Sequence, residues 1–319
     1  MEYRNVGKWG LKISEFSLGS WLTFGSELDI SEARKCMKAA YDSGINFFDN
    51  AEAYAAGLSE SIMGMILKEF KRESIVVSTK IFWGGNGPND IGLSRKHLFE
   101  GAWNSLKRLQ LDYVDLIYCH RPDSNTPLEE TAMAMNDIVR SGMALYWGTS
   151  EWNAESLEKT FNICSEYRLV PPVVEQPQYS LLFRERVERE YVPIIDRYGI
   201  GLTTWSPLAS GVLTGKYNEG IPDGSRLARH TGLKKHLEES GLISESNISR
   251  VKKLQKIAKD LGTTSATLSL AWCLKNDSVS SVILGVSSVE QLTENLKALN
   301  LKERITDDVF DAINRIFPL

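Results

Sequence analysis

Phe47-Phe48-Asp49-Asn50-Ala51-Glu52-Ala53-Tyr54 decides how this chain is read: a short apolar run ends in a carboxylate, and a phenol follows five residues later. That pair makes chemical sense only with a cation nearby. Two later apolar runs end in suitable polar residues. Ser74-Ile75-Val76-Val77-Ser78-Thr79 leads to Lys80, and Tyr113-Val114-Asp115-Leu116-Ile117-Tyr118-Cys119 leads to His120. Asp49 with Tyr54, Lys80 and His120 therefore leave three consecutive strand-like segments at the same end.

Outward from these segments the alternation continues. Strand-like runs fall at residues 16–20, 45–49, 75–80, 113–119, 144–148, 173–175, 201–205 and 279–284. Helical spacing occupies 31–43, 60–70, 94–109, 154–167, 186–198, 249–261, 264–276 and 307–316. Two more helices start at capping boxes: Thr126-Pro127-Leu128-Glu129, with proline at the first helical position, and Ser288 with Gln291. Residues 3–14 alternate around Lys8-Trp9-Gly10 and predict a small hairpin before the main sheet. From Ser206 to about Ser246 periodic signals are few, which predicts a long loop after strand seven, and loops of that length are usually functional or disordered.

Eight strands alternating with helices predict one α/β domain over residues 1–319: a closed (β/α)8 TIM barrel with an N-terminal β-hairpin and extra C-terminal helices. An open doubly wound sheet would need a break between halves, and no Gly-x-Gly-x-x-Gly follows the first strand. The functional face of such a barrel lies at the strand C-termini, where the four residues converge.

Composition narrows the function. With 42% hydrophobic and 24% charged residues the chain is ordinarily globular, and a net charge of -4 without a Lys/Arg run gives no nucleic-acid footprint. Cys36, Cys119, Cys164 and Cys273 lack CxxC spacing, so neither a zinc site nor a disulfide framework is expected, and a reducing compartment fits. The N-terminus has no apolar targeting segment and no stretch is long enough to span a bilayer. The expectation is a cytoplasmic protein without a metal and without membrane insertion.

The residue types suggest proton transfer. A tyrosine hydroxyl, with a reference pKa of about 10, is a poor donor near neutrality. A lysine beside it would stabilise the phenolate and lower that pKa, an aspartate would keep the buried lysine charged, and His120 could orient a carbonyl oxygen. Singly, each has an ordinary reading: Asp49 a helix cap, Tyr54 a half-buried aromatic, Lys80 a surface charge, His120 a core imidazole. Together at three strand ends they describe a site that protonates a carbonyl as it is reduced.

On these residues the chain resembles the aldo-keto reductases, and within them is similar to the β-subunits of voltage-gated potassium channels and their stand-alone relatives. Nearly the whole chain takes part. Further markers are Gly19-Ser20-Trp21, Thr79-Lys80-Ile81-Phe82-Trp83-Gly84-Gly85, His120-Arg121-Pro122-Asp123, Tyr146-Trp147-Gly148-Thr149-Ser150, Trp205-Ser206-Pro207-Leu208 and Gln291-Leu292-Thr293-Glu294-Asn295.

The resemblance implies NADPH extended across the barrel mouth, hydride transfer to a carbonyl and a proton from Tyr54. It implies Ser20, Trp21 and Asp49 at the cofactor, Ser150 and Gln176 at the carboxamide, and Trp205 stacked on the nicotinamide. Ser206, Pro207, Leu208, Ser210, Gly211, Lys216 and Arg226 would clasp the diphosphate, with Lys216 and Arg226 open to a second reading as solvated loop charges. Gly285, Ser287, Gln291, Glu294 and Asn295 would meet the adenosine end. Independently, the turn 285–288 entering a helix offers backbone N–H groups to a phosphate, although plain helix capping explains it too.

Trp21, Phe24, Trp83 and Trp152, with Tyr54 and His120, fit substrate-pocket walls; packing at the barrel mouth fits the aromatics equally. The animal channel subunits have asparagine at His120, arginine at Glu151, glutamine at Glu27, cysteine at Ser210 and tyrosine at Gly224. Histidine is the commoner choice among active reductases, which favours catalysis. The chain begins at the hairpin without a pore-plugging extension, so pore block is not expected. The resulting expectation is an NADPH-dependent reductase of small aldehydes and ketones. An NADPH-sensing cytosolic β-subunit on a potassium channel is the alternative, and a homotetramer is implied for both.

Overall fold

The computed structural model describes residues 1–223, 225–229 and 231–319; the side chains of Arg226, Thr231, Leu233 and His236 lie outside that description. The strands are β1 Tyr3–Asn5, β2 Lys12–Ser14, β3 Phe16–Gly19, β4 Phe47–Asp49, β5 Val76–Ile81, β6 Val114–Cys119, β7 Ala144–Thr149, β8 Val174–Glu175, β9 Gly201–Thr204 and β10 Val279–Leu284. β3 to β10 form a closed parallel barrel in sequence order, with β10 returning to pair with β3. The fold is the (β/α)8 barrel that the alternation predicts.

Period two along the strands sets what faces inward. Phe47 joins Val76, Leu116, Tyr118, Val173 and Val174 in one cluster, whereas Phe48 points the other way and stacks on Phe70 at 5.8 Å. Asp49, two residues after Phe47, therefore faces inward. The same step carries Ser78 to Lys80 on β5 and Tyr118 to His120 beyond β6. Gly148 on β7 makes room for this interior: a Cβ there would lie 2.4 Å from Val174 Cγ1 and 3.2 Å from the Tyr118 ring.

The hairpin β1–β2, in register Tyr3↔Ser14, closes the strand N-terminal end. Its fully buried Val6 and Ile13 belong to the Phe47 cluster, and Trp9 and Leu11 pack against it. The opposite end is left for the site.

Contacts divide the chain into two compact units. The first, Met1–Pro177, Arg189–Trp205 and Ser278–Leu292, holds hairpin and barrel; the second comprises Gln178–Glu188, Ser206–Asp277 and Thr293–Leu319. The second unit is helical, and its core includes Trp272 of the helix Ser265–Leu274, flanked by the rings of Tyr179 and Phe310 at 5.3 and 6.2 Å.

Several local expectations change. The weakly periodic stretch contains a 3-10 segment Ala209–Thr214 and helices Arg226–Arg229 and Thr231–Glu239, and the helix expected from 249 begins at Glu245, with Ser244 accepting from the Asn247 N–H. The helix Thr231–Glu239 carries exposed Lys234–Glu238 and Lys235–Glu239 pairs one turn apart. The single helix expected at 186–198 is a π turn Arg186–Glu190 followed by an α-helix Val192–Tyr198 with proline in its first turn.

The Thr126 box does not form. Asp123 Oδ2 accepts from the Thr126 hydroxyl at 2.7 Å, and the helix Leu128–Arg140 starts after Pro127 with no side-chain cap. At the other box Ser288 Oγ accepts from the Gln291 N–H, but Gln291 Oε1 accepts from the Ser287 N–H at 3.0 Å. That amide of the proposed phosphate turn is thus already satisfied.

Candidate active site

Lys80 is fully buried, and all three of its ammonium donors are used. Nζ donates to Asp49 Oδ2 at 2.5 Å, to the Asn50 carbonyl at 2.8 Å and to Tyr54 Oη at 3.2 Å. The other carboxylate oxygen, Asp49 Oδ1, accepts from Ser78 Oγ at 2.7 Å and Gln176 Nε2 at 3.1 Å. Burial by itself would drive the proton off Lys80, but the charges and hydrogen bonds of Asp49 and Tyr54 together outweigh it, and the ammonium pKa stands above its ordinary value.

Tyr54 is held by an unusual turn. Ala55 and Ala56 adopt φ of 49° and 52°, and Gly57 follows at 87°. Left-handed backbone costs a non-glycine residue about 1–2 kcal/mol, so neighbours must impose it. The Arg108 side chain lies over Gly57, where a Cβ would sit 2.8 Å from its Cδ. Arg108 Nε donates to buried Glu60 Oε2 at 2.6 Å, and Thr79 Oγ1 donates to Glu60 Oε1 at 2.5 Å, so the helix after Tyr54 is tied to the residue before Lys80.

Lys80 lowers the phenol pKa as expected, but does not bring it below its ordinary value. Burial raises it more than the Lys80 charge lowers it, so Tyr54 is a protonated phenol at rest. His120, 5% exposed, is shifted well below the usual histidine range by burial, then by the charges of Lys80 and Arg121. Its ring lies 5.8 Å from that of Tyr54 and 5.0 Å from that of Trp83, and its buried Nδ1 has no hydrogen-bond partner among the described residues. A neutral imidazole with an unused nitrogen stands beside a protonated phenol.

Around this centre in the barrel unit, Ser20 Oγ donates to the Asp49 carbonyl at 3.1 Å, and Ser150 Oγ donates to the Gln176 carbonyl at 2.9 Å. Trp205 meets Trp21 edge to face at 6.2 Å and donates its indole N–H to Glu151 Oε1 at 2.9 Å. Gly285 is exposed, and Ser287 and Gln291 bond to each other.

The remaining cofactor candidates belong to the second unit. Ser206, Ala209, Ser210 and Gly211 all have positive φ, and Ser206 Oγ accepts from the Ser210 N–H at 3.2 Å. Pro207 is buried and Leu208 half-buried. Lys216 Nζ lies over the Tyr217 ring at 5.0 Å. Glu294 pairs with Lys297 at 2.5 Å, and Asn295 is half-buried. The Arg226 side chain and Gly224 lie outside the described residues.

Residues 15–317 match the model of the Aldo/keto reductase family. The chain belongs to this family. It is 50% identical to a rice (Oryza sativa subsp. japonica) protein and 51% identical to an Arabidopsis thaliana protein, each named "Probable voltage-gated potassium channel subunit beta". Both matches run over 319 residues, covering 99% of this chain and 96% of the relative. Among the described residues of this aldo/keto reductase no helix is long and apolar enough to cross a membrane, and no cluster could hold a metal ion.

The aromatic residues expected to line the aldo/keto reductase pocket separate into two pairs. Trp21 and Trp83 are 41% and 40% exposed, whereas Phe24 and Trp152 are each 1% exposed, their surface taken up by packing. Sequence reasoning missed Arg121, whose Nη1 donates to the His120 carbonyl at 2.6 Å and Ser150 Oγ at 3.3 Å while its guanidinium lies over Trp83. It also missed Ser78, although the two-residue step to Lys80 was a usable signal, and the Thr79–Glu60–Arg108 chain, for which the sequence carries none.

Proposed function

We propose that this chain, acting over residues 1–319 as one reductase domain, reduces small aldehydes and reactive ketones to alcohols with NADPH, Tyr54 giving the proton. The observation that carries this reading is the buried Lys80 ammonium, fixed on Asp49 at 2.5 Å and touching the Tyr54 hydroxyl at 3.2 Å. Bound NADPH would supply the hydride to the carbonyl carbon.

The donor set suits that cofactor. Trp205, half-buried with Trp21 at its edge, offers an indole for a flat ring, and Ser150 and Gln176 carry the hydroxyl and amide a carboxamide needs. Ser206, Pro207, Leu208, Ser210, Gly211, Lys216 and Arg226 would hold the diphosphate, and Gly285, Ser287, Gln291, Glu294 and Asn295 the adenosine end.

The chain's own residues then handle the proton. A carbonyl oxygen placed at Tyr54 Oη and His120 accepts a hydrogen bond from the phenol and one from the neutral imidazole. As negative charge grows on that oxygen, the phenol proton moves to it and the alcohol forms. The phenolate left behind faces a Lys80 N–H already aimed at it, which offsets the burial that keeps the resting phenol protonated. Trp21 and Trp83 present apolar surface to the substrate.

The test is NADPH oxidation with a panel of aldehydes and dicarbonyls, native protein against Tyr54→Phe. Losing the hydroxyl is expected to lower turnover about 10²- to 10⁴-fold with NADPH binding retained. Equal turnover by the two proteins would sink Tyr54 as donor.

The names of the rice and Arabidopsis relatives favour a second reading, an NADPH-sensing subunit on a potassium channel. Tight NADPH binding with no turnover of any carbonyl would select it. A cytoplasmic homotetramer is part of both readings.

A further inference from the structure

We propose that Arg121 makes this pocket select carbonyl compounds that also carry a carboxylate, the guanidinium binding the carboxylate while the carbonyl oxygen sits at Tyr54 and His120. The inference rests on the reading of Tyr54 as proton donor to a carbonyl, and it names the substrate class.

Arg121 follows His120 directly and stands half-buried in the barrel unit. Its Nη1 donates to the His120 carbonyl at 2.6 Å and to Ser150 Oγ at 3.3 Å, and its guanidinium carbon lies 5.3 Å from the centre of the Trp83 ring. These contacts fix the group without using it up: among the described residues Nε and Nη2 have no acceptor. A guanidinium always carries its charge, and it offers its donors as a rigid fork matched to the two oxygens of a carboxylate. The Trp83 indole is 40% exposed and lies 5.0 Å from the His120 ring, which in turn lies 5.8 Å from the Tyr54 ring. One indole thus borders both the proton-donating end and the guanidinium, and a compact molecule spans them.

Among the described residues no carboxylate pairs with this cation, because those around it are engaged elsewhere. Asp49 binds Lys80, Glu52 accepts from the Phe82 N–H at 2.7 Å, Asp123 accepts from the Leu93 N–H at 2.8 Å, and Glu151 accepts from the Trp205 indole at 2.9 Å. The Lys80 and Asp49 charges cancel, and Tyr54 and His120 rest neutral, so the positive charge of Arg121 stands uncompensated at this end of the pocket. It reaches both reacting side chains, since it lowers the proton affinity of Tyr54 and of His120. A half-buried charge without a counter-charge is costly, and a substrate carboxylate offsets that cost with charge-assisted hydrogen bonds on a partly dried wall. The carboxylate itself does not react: hydride from NADPH goes to the carbonyl carbon, the Tyr54 proton goes to its oxygen, and a hydroxy acid leaves.

The test compares kcat/KM for NADPH-dependent reduction of matched pairs, 4-oxobutanoate with butanal and 4-formylbenzoate with its methyl ester, in the native protein, Arg121→Gln and Arg121→Lys. Whatever a substitution does to Ser150 or His120 enters both members of a pair alike, so the readout is the carboxylate-to-neutral ratio. Arg121→Gln is expected to lower that ratio about 10- to 100-fold in at least one pair, chiefly through KM, the factor a hydrogen bond to a charged group supplies. Arg121→Lys keeps the charge but loses the fork, and its ratio is expected to fall between the other two. A ratio that Arg121→Gln leaves unchanged in both pairs assigns Arg121 to holding Ser150 and His120 alone; it overturns the inference and leaves the reductase reading standing. If no carbonyl turns over, the reductase reading fails, and calorimetric titration with benzoate decides. Binding to the native protein that Arg121→Gln weakens about tenfold or more supports Arg121 as a carboxylate site, and no binding, or equal binding, overturns it. Should Arg121→Gln not fold, Arg121→Lys carries the test, and a native ratio in that variant overturns the inference.

Discussion

Lys80 owes its charge to Asp49, and Asp49 its burial to Lys80. Removing one partner of a buried pair leaves an uncompensated charge, at a cost of about 3–5 kcal/mol. Asp49 is 3% exposed, so Lys80→Met is expected to lower unfolding stability by about that amount in urea titrations, and Asp49→Asn/Lys80→Met to recover part of it. A double variant as unstable as the sum of the singles would contradict the pairing. His120 gives a pH signature of its own. Its folded pKa is depressed, so the unfolded chain binds the proton first and stability falls as pH drops from the unfolded value of about 6.5 toward the folded one. Between pH 7 and 5 the native protein is expected to lose up to about 2 kcal/mol more than His120→Asn. Parallel urea midpoints in the two proteins would show that His120 is not held neutral.

The strands were legible because their interior residues recur every second position, so the inward course of Asp49, Lys80 and His120 followed from the strand ends. The helix start at Thr126 was not, because a capping box names only residues near in sequence. Asp123 accepts from Leu93 N–H, Asn125 N–H and Thr126 Oγ1 at 2.8, 2.9 and 2.7 Å, and takes the hydroxyl that the helix would have used. Asp123→Ala is therefore expected to cost about 1–3 kcal/mol and Thr126→Ala less than about 1 kcal/mol. Thermal unfolding checks the order, and a larger loss at Thr126 would restore the cap. On β7, Gly148→Ala would place its Cβ 2.4 Å from both Cγ1 and the carbonyl of Val174, and is expected to destabilise by about 3 kcal/mol. A Gly148→Ala protein with the native melting temperature would show that the barrel yields there.

For the molecule as a whole, the hairpin matters more than its length suggests, since Val6 and Ile13 complete the core at the strand N-terminal end. Ile13→Ala is expected to cost about 2–5 kcal/mol, read from denaturant unfolding, whereas a surface hairpin would tolerate it. The sequence by itself determined the eightfold alternation, the end of the barrel where chemistry gathers, and the four residue types found there. These depend on periodicity and strand polarity, which are local properties of the chain. Only the tertiary structure decided that Tyr54 stays protonated, that Phe24 and Trp152 are packed away while Trp21 and Trp83 are exposed, and that Arg121 and Glu175 face Ser150 and its neighbours. Proton affinities and hydrogen-bond choices are set by desolvation and by groups distant in the chain, such as the 127 residues separating Asp49 from Gln176, and these meet only once the barrel has closed.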